Sequence, residues 1–159
     1  VEEVYYYHEG KSIDALIIPE LKYAVMSLNN NKIIIVDYAK KPSFKLFDEI
    51  RLKGISRRLI YEKGFLFYFT DLGEMYKYDL KTKDNTLLYA CGKRITDFVM
   101  FNGFIVYSTG DGEIIKRNSL NGTTKKIKIN DNLVINLLQF NFNKLICGTF
   151  KGEILIIKV

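Results

Sequence analysis

Thr70-Asp-Leu-Gly-Glu74, Thr109-Gly-Asp-Gly-Glu113 and Thr149-Phe-Lys-Gly-Glu153 are one pattern written three times, and its spacing decides the fold. The threonines stand 39 and 40 residues apart, and Gly73, Gly112 and Gly152 keep the same intervals. A degenerate copy sits upstream at Ser27-Leu-Asn-Asn-Asn31, read with Ser27 in the threonine position. A period near 40 residues means an array of like units, each too small to bury its own apolar face alone.

Within each unit the pattern falls between two strand-like runs. In the third copy, Ile95–Phe101 is followed by a turn at Asn102-Gly103, a strand over Phe104–Ser108, and a reversal at Gly110-Asp111-Gly112. Glu113–Arg117 then reads as a third strand, Asn121-Gly122 as a turn, and Thr124–Ile129 as a fourth strand. Asn-Gly and Asp-Gly between apolar runs mark hairpins, because such turns need positive φ. The second copy runs through Leu59-Ile60, Phe65–Phe69, Met75–Tyr78 and Thr86–Ala90, and the fourth through Val134–Leu138, Leu145–Gly148 and Ile154–Ile157. The enriched residues are Ile, Val, Tyr, Phe and Thr, which suit a pleated, half-buried surface, and helical periodicity is hard to find. Pro19 falls in an expected turn and Pro42 beyond a third strand. Four short antiparallel strands per unit, repeated, predict an all-β chain laid out as a β-propeller.

These features resemble the WD-repeat propellers. The dipeptide that closes the third strand of such repeats stands here as Val36-Asp37 and Tyr78-Asp79, and decays to Arg117-Asn118 and Ile157-Lys158. Tryptophan is absent, and the single histidine, His8, is not in a Gly-His position, so the His/Ser/Asp network that braces such blades is not present in full. The resemblance implies about four blades over residues 1–159, with repeats near 1–50, 51–92, 93–131 and 132–159. Val1-Glu-Glu-Val-Tyr-Tyr-Tyr7 is read either as the strand completing the last blade or as the outer strand of a preceding one. The second reading, in which the chain is the C-terminal part of a seven- or eight-bladed ring, is favoured.

Composition bounds the chemistry. The 159 residues suffice for a substantial core, and 48% hydrophobic content with mean hydropathy near zero excludes disorder. No apolar run of membrane-spanning length exists. Cys91 and Cys147 fall on different repeats and read as small buried hydrophobes rather than a disulfide. Asn121-Gly-Thr123 matches the N-glycosylation triplet but is accounted for as a hairpin turn. One histidine and two separated cysteines do not suggest a metal site, no nucleophile has a base partner, and Ser108-Thr-Gly-Asp-Gly112 lacks the Gly-Lys-Ser/Thr ending of a phosphate loop. The expectation is a non-enzyme without cofactor, metal or small-molecule substrate.

Charge is the remaining lead. The net +6 and pI of about 9.2 are moderate. The resemblance implies that loops from outer to inner strands, and from second to third strands, share one face. Lys53, Arg57, Arg58, Lys93, Arg94 and Lys151 would then gather against Asp71 and Asp111 as a basic partner-binding rim. The expected role is a scaffold for protein subunits of an intracellular, eukaryotic-type assembly. The alternatives are an RNA-contacting subunit of a ribonucleoprotein, with Tyr61 and Tyr89 as exposed stacking candidates, or a phosphoinositide reader, for which Ser56-Arg57-Arg58-Leu59 supplies two arginines without the flanking signature.

Overall fold

The computed structural model describes residues 10–39, 44–128, 134–141 and 143–158. Among them every regular element is a strand: β1 (Ser12–Ile18), β2 (Tyr23–Leu28), β3 (Lys32–Asp37), β4 (Lys45–Arg51), β5 (Ser56–Glu62), β6 (Phe65–Thr70), β7 (Glu74–Asp79), β8 (Asn85–Ala90), β9 (Ile95–Phe101), β10 (Phe104–Thr109), β11 (Glu113–Asn118), β12 (Thr124–Lys128), β13 (Val134–Asn141), β14 (Lys144–Thr149) and β15 (Ile154–Lys158). They build four sheets, β1 to β4, β5 to β8, β9 to β12 and β13 to β15, each with its strands in sequence order. Such meanders of three or four antiparallel strands fit a propeller-blade arrangement. The segment Val1–Tyr7, His8 and Pro42 lie outside the described residues.

The quoted pattern makes the second-to-third-strand turn of three sheets. Gly73, Gly112 and Gly152 sit there with φ of 82°, 80° and 81°, the left-handed region where a side chain is strained. The threonine closes the turn: the Thr109 hydroxyl accepts from the Glu113 N–H at 3.2 Å, and Thr149 accepts from Glu153 at 3.1 Å. In the first sheet the copy is displaced by one residue from the sequence reading. Leu28, the last residue of β2, stands in the threonine position, and Asn31 takes the positive φ of 62°. Asn is the residue after Gly that tolerates this conformation best, because its short amide bonds locally.

The third-strand dipeptide has an equally local cause. The Asp37 carboxylate accepts from the Ala39 N–H at 2.9 Å, and Asp79 accepts from Lys81 and Thr82 at 2.8 and 3.1 Å. Asn118 does the same for Leu120 and Asn121, so the change from Asp to Asn keeps the Asx turn. The next residue then ties the turn to the opposite hairpin: Tyr38 N to Lys22 O, Leu80 N to Gly64 O and Ser119 N to Gly103 O, at 2.9 to 3.1 Å.

The chain divides into two compact units, Val1–Thr70 with Met75–Tyr89 and Asp71–Glu74 with Ala90–Val159. In the first unit, Ile18, Val25, Ile33, Ile35, Leu59, Leu66, Tyr68 and Tyr78 form one core cluster, while Leu28, Ile34 and Val36 form a second. Alternate residues of β3 therefore bury both faces of its sheet, which explains the unbroken apolar run Ile33-Ile-Ile-Val36. In the second unit Val99, Val106, Ile114, Val134, Leu137, Leu145 and Cys147 pack together.

Each unit joins two sheets through an aspartate. Asp14 of β1 accepts from the Leu59 N–H of β5 at 2.8 Å, and Asp97 of β9 accepts from the Leu137 N–H of β13 at 2.6 Å. The carboxylate thus replaces a ladder partner that the first strand of a sheet, at its edge, would otherwise lack. At the corresponding positions β5 carries Arg58 and β13 carries Asn136.

Candidate functional site

The inner strands position the residues nearest the loops by a shared device. Each of β1, β5, β9 and β13 bulges near its start. Ile13, Thr96 and Ile135 are the extra residues in three of them, and in β5 the arginines Arg57 and Arg58 stand between the paired residues Ser56 and Leu59. A bulge breaks the two-residue alternation and re-aims the side chain it carries. Arg57 is exposed and Arg58 half-buried. Lys53 is exposed in the preceding loop.

Loops from outer to inner strands do meet the second-to-third-strand turns at one end of their sheets. In the first unit the Leu52 N–H donates to Asn31 O at 2.8 Å, and Asn29 N–H donates to Lys11 O at 3.0 Å. In the second, Cys91 N–H donates to Gly73 O at 2.9 Å, and Gly110 N–H donates to Arg94 O at 2.8 Å. The approach at Gly73 is so close that a Cβ built there would lie 2.2 Å from the Lys93 carbonyl oxygen. The Arg94 stem covers Gly110, with side-chain carbons 3.4 to 3.7 Å from the position of a Cβ there.

Lys93 does not behave as a simple rim cation. Its ammonium lies 2.6 Å from Asp111 and 2.7 Å from Glu113, and Lys126 reaches Glu113 at 3.3 Å. Asp111 also accepts from the Thr109 hydroxyl. Lys93 and then Thr109 hold the Asp111 carboxyl down at about 2, and Lys93 followed by Lys126 lowers Glu113. The same carboxylates raise the Lys93 ammonium. Two cations and two anions make a locally neutral cluster beside Arg94, and together Lys93, Arg94, Gly110 and Asp111 line a shallow depression. Lys151 is exposed in the turn before β15. Of the six rim residues, Lys53, Arg57 and Arg58 thus belong to the first unit, and Lys93, Arg94 and Lys151 to the second.

The tyrosines named as stacking candidates are not exposed platforms. Tyr61 is half-buried against the first unit's core, and burial, followed by a hydrogen bond with Glu20, raises its phenol. Tyr89 is also half-buried. Cys147 is buried in the second core, where desolvation pushes its thiol up to about 11; Cys91 is half-buried and also raised, chiefly by burial. Both thiols stay protonated near neutrality, which suits packing. No group of three or more His, Cys, Asp or Glu stands in metal-binding proximity among the described residues. Ser108–Gly112 is a hairpin turn, with the Gly112 N–H donating to Thr109 O at 3.0 Å.

A second depression, of about 240 Å³, lies beside the outer strand β8 and is lined by Phe65, Lys77, Asp79, Asp84, Thr86 and Leu88. Lys77 sits 3.6 Å above the Phe65 ring, and Lys116 repeats the arrangement 4.0 Å above Phe104. Sequence reading missed this depression, because its lining comes from three strands and a turn. The aspartate staples were also missed, although Asp inside an apolar strand run is a signal that could have exposed them.

An all-β chain of repeated antiparallel sheets is the class these features define. No family model matches the chain, and no curated protein matches it by sequence. Among solved structures it is similar to the computationally designed protein Ika4, with a TM-score of 0.79 and 15% identity over 96% of this chain and 94% of that one. It also matches the designed protein Ika8 (TM-score 0.78, 15% identity, 96% of this chain) and Saccharomyces cerevisiae Sqt1, a WD-repeat protein (TM-score 0.77, 13% identity, 95% of this chain). The chain spans about half the length of those two, 47% and 46% respectively. With 1003 solved chains matching, the likeness selects an architecture and not a function. No helix is long and apolar enough to cross a membrane among the described residues.

Proposed function

We propose that the four sheets are blades of a WD-like β-propeller serving as a non-catalytic scaffold for protein subunits of a larger intracellular assembly. The observation that carries this reading is the fastening of loop to turn at one end of three of the sheets. Bonds such as Leu52 N to Asn31 O and Gly110 N to Arg94 O hold connections of unlike sequence on a repeated frame. Binding residues favour loops carried on such rigid supports. Lys53, Arg57, Arg94 and Lys151 are exposed cations in or beside these connections and the residues we assign to partner contact. Lys93 serves to hold the Asp111 turn against its neighbour, and Arg58 lies partly within the sheet.

The test reverses those four exposed residues to Glu, which leaves the core clusters untouched. Circular dichroism should be unchanged, and pull-downs from native extract should lose a set of protein partners that nuclease treatment does not remove. Loss confined to nuclease-sensitive material makes the chain an RNA-contacting subunit instead. Retention of every partner overturns the assignment of the rim.

A further inference from the structure

The outer strands of the three four-stranded sheets differ in one respect. β4 carries Lys45, Asp48, Glu49 and Arg51, and β12 carries Lys125, Lys126 and Lys128. β8, Asn85-Thr-Leu-Leu-Tyr-Ala90, carries no charge at all. Charged residues on an edge strand are the usual protection against pairing with another chain, and here that protection is missing. β8 ends its sheet, so every second residue along it turns its backbone N–H and C=O outward. Leu87 and Leu88 are 50% and 43% exposed on opposite faces of the strand.

The depression lined by Phe65, Lys77, Asp79, Asp84, Thr86 and Leu88 opens against this strand. Its lining holds Asp79 and Asp84 with the cation Lys77, which is seated over the Phe65 ring, and Lys81 of the adjoining turn also acts on Asp79. Lys81 and Lys83 share the adjoining turn but do not line the depression. Lys83 is directed elsewhere, donating to Phe47 O at 3.0 Å and lying 3.8 Å from Asp48. A partly apolar lining beside two carboxylates suits a long cationic side chain, whose methylenes can lie on Leu88.

We propose that β8 is a strand-addition site for an extended segment of a partner protein, apolar on alternate residues and carrying a Lys or Arg on the opposite face. The main chain of that segment continues the sheet beyond β8, its apolar residues lie beside Leu87, and its cation enters the depression toward Asp79 and Asp84. This names a partner surface apart from the loop rim. It rests on the scaffold reading only in that both concern protein partners.

The test titrates a fluorescein-labelled peptide, acetyl-Thr-Val-Lys-Val-Thr-Val-amide, into the whole chain and follows anisotropy. Saturable binding is expected, weakened at least about tenfold by Leu88→Lys and by exchange of the peptide's Lys for Glu. Asp84→Lys should restore the Glu peptide relative to the Lys one. Two N-methylated peptides, blocking either the odd or the even amides, separate ladder pairing from surface adhesion, because only one set can face β8; one should bind and the other should not. Absence of saturable binding up to about 1 mM, or equal binding of both N-methylated forms, overturns the proposal. If Leu88→Lys abolishes self-association that the peptide does not displace, the occupant is a second copy and the proposal also fails. Rim reversal should leave peptide binding intact, and Leu88→Lys should leave rim-dependent partners bound, so the two readings fail separately.

Discussion

Gly73 and Gly152 have the same backbone conformation and different neighbourhoods, which separates two reasons for a glycine. Both have φ near 80°, and replacement by Ala strains each of them. At Gly152 a Cβ meets nothing within 4 Å, so Gly152→Ala should cost about 1 kcal/mol from the backbone alone. At Gly73 it would strike the Lys93 carbonyl, and Gly73→Ala should cost about 2–4 kcal/mol as the loop is displaced. Urea midpoints of the two variants measure the difference; equal losses would mean that the Lys93 loop yields freely. The turn itself was legible in the sequence, because Thr-x-x-Gly acts within five residues. The close approach was not, since it depends on a loop twenty residues further on. The same limit applies to Lys93, whose neutralising partners Asp111 and Glu113 belong to another hairpin. In the first sheet the error was one residue, because Ser27 resembles the threonine that Leu28 replaces.

Strand order follows directly from the hairpin turns, whereas the fastening of one sheet to the next does not. Asp97 is 5% exposed and receives the Phe98 N–H at 2.8 Å as well as that of Leu137. Asp97→Ala leaves two buried donors without this acceptor and should lower stability by about 2–4 kcal/mol. Asp97→Asn keeps one carbonyl oxygen and should lose less. Asp14 is half-buried, so Asp14→Ala should cost about 1–2 kcal/mol. Chemical denaturation of the three variants gives the ranking, and an Asp97→Ala protein as stable as Asp14→Ala would deny the staple its role. Period alone could not reveal these contacts, which join residues 40 and 45 positions apart and occur in alternate sheets only.

At the scale of the whole molecule, the β13–β15 sheet carries exposed apolar side chains among the described residues. Ile154 and Ile156 are 77% and 61% exposed on β15, which ends the order β13-β14-β15. Such an edge invites pairing. Light scattering should find concentration-dependent self-association that Ile156→Lys reduces; a monomer indifferent to that substitution would mean the edge is not available to another chain. The bulges near the starts of the inner strands act at this scale in a different way. On a strand with one buried face, a substitution must respect the parity of core and solvent. The bulges lift that requirement where the ladder leaves residues unpaired, and the residues there differ in kind: Ile13 in β1, Arg57 with Arg58 in β5 and Thr96 in β9. A repeat protein built this way can change what each sheet carries beside its loops by point mutation, while the core positions stay as they are.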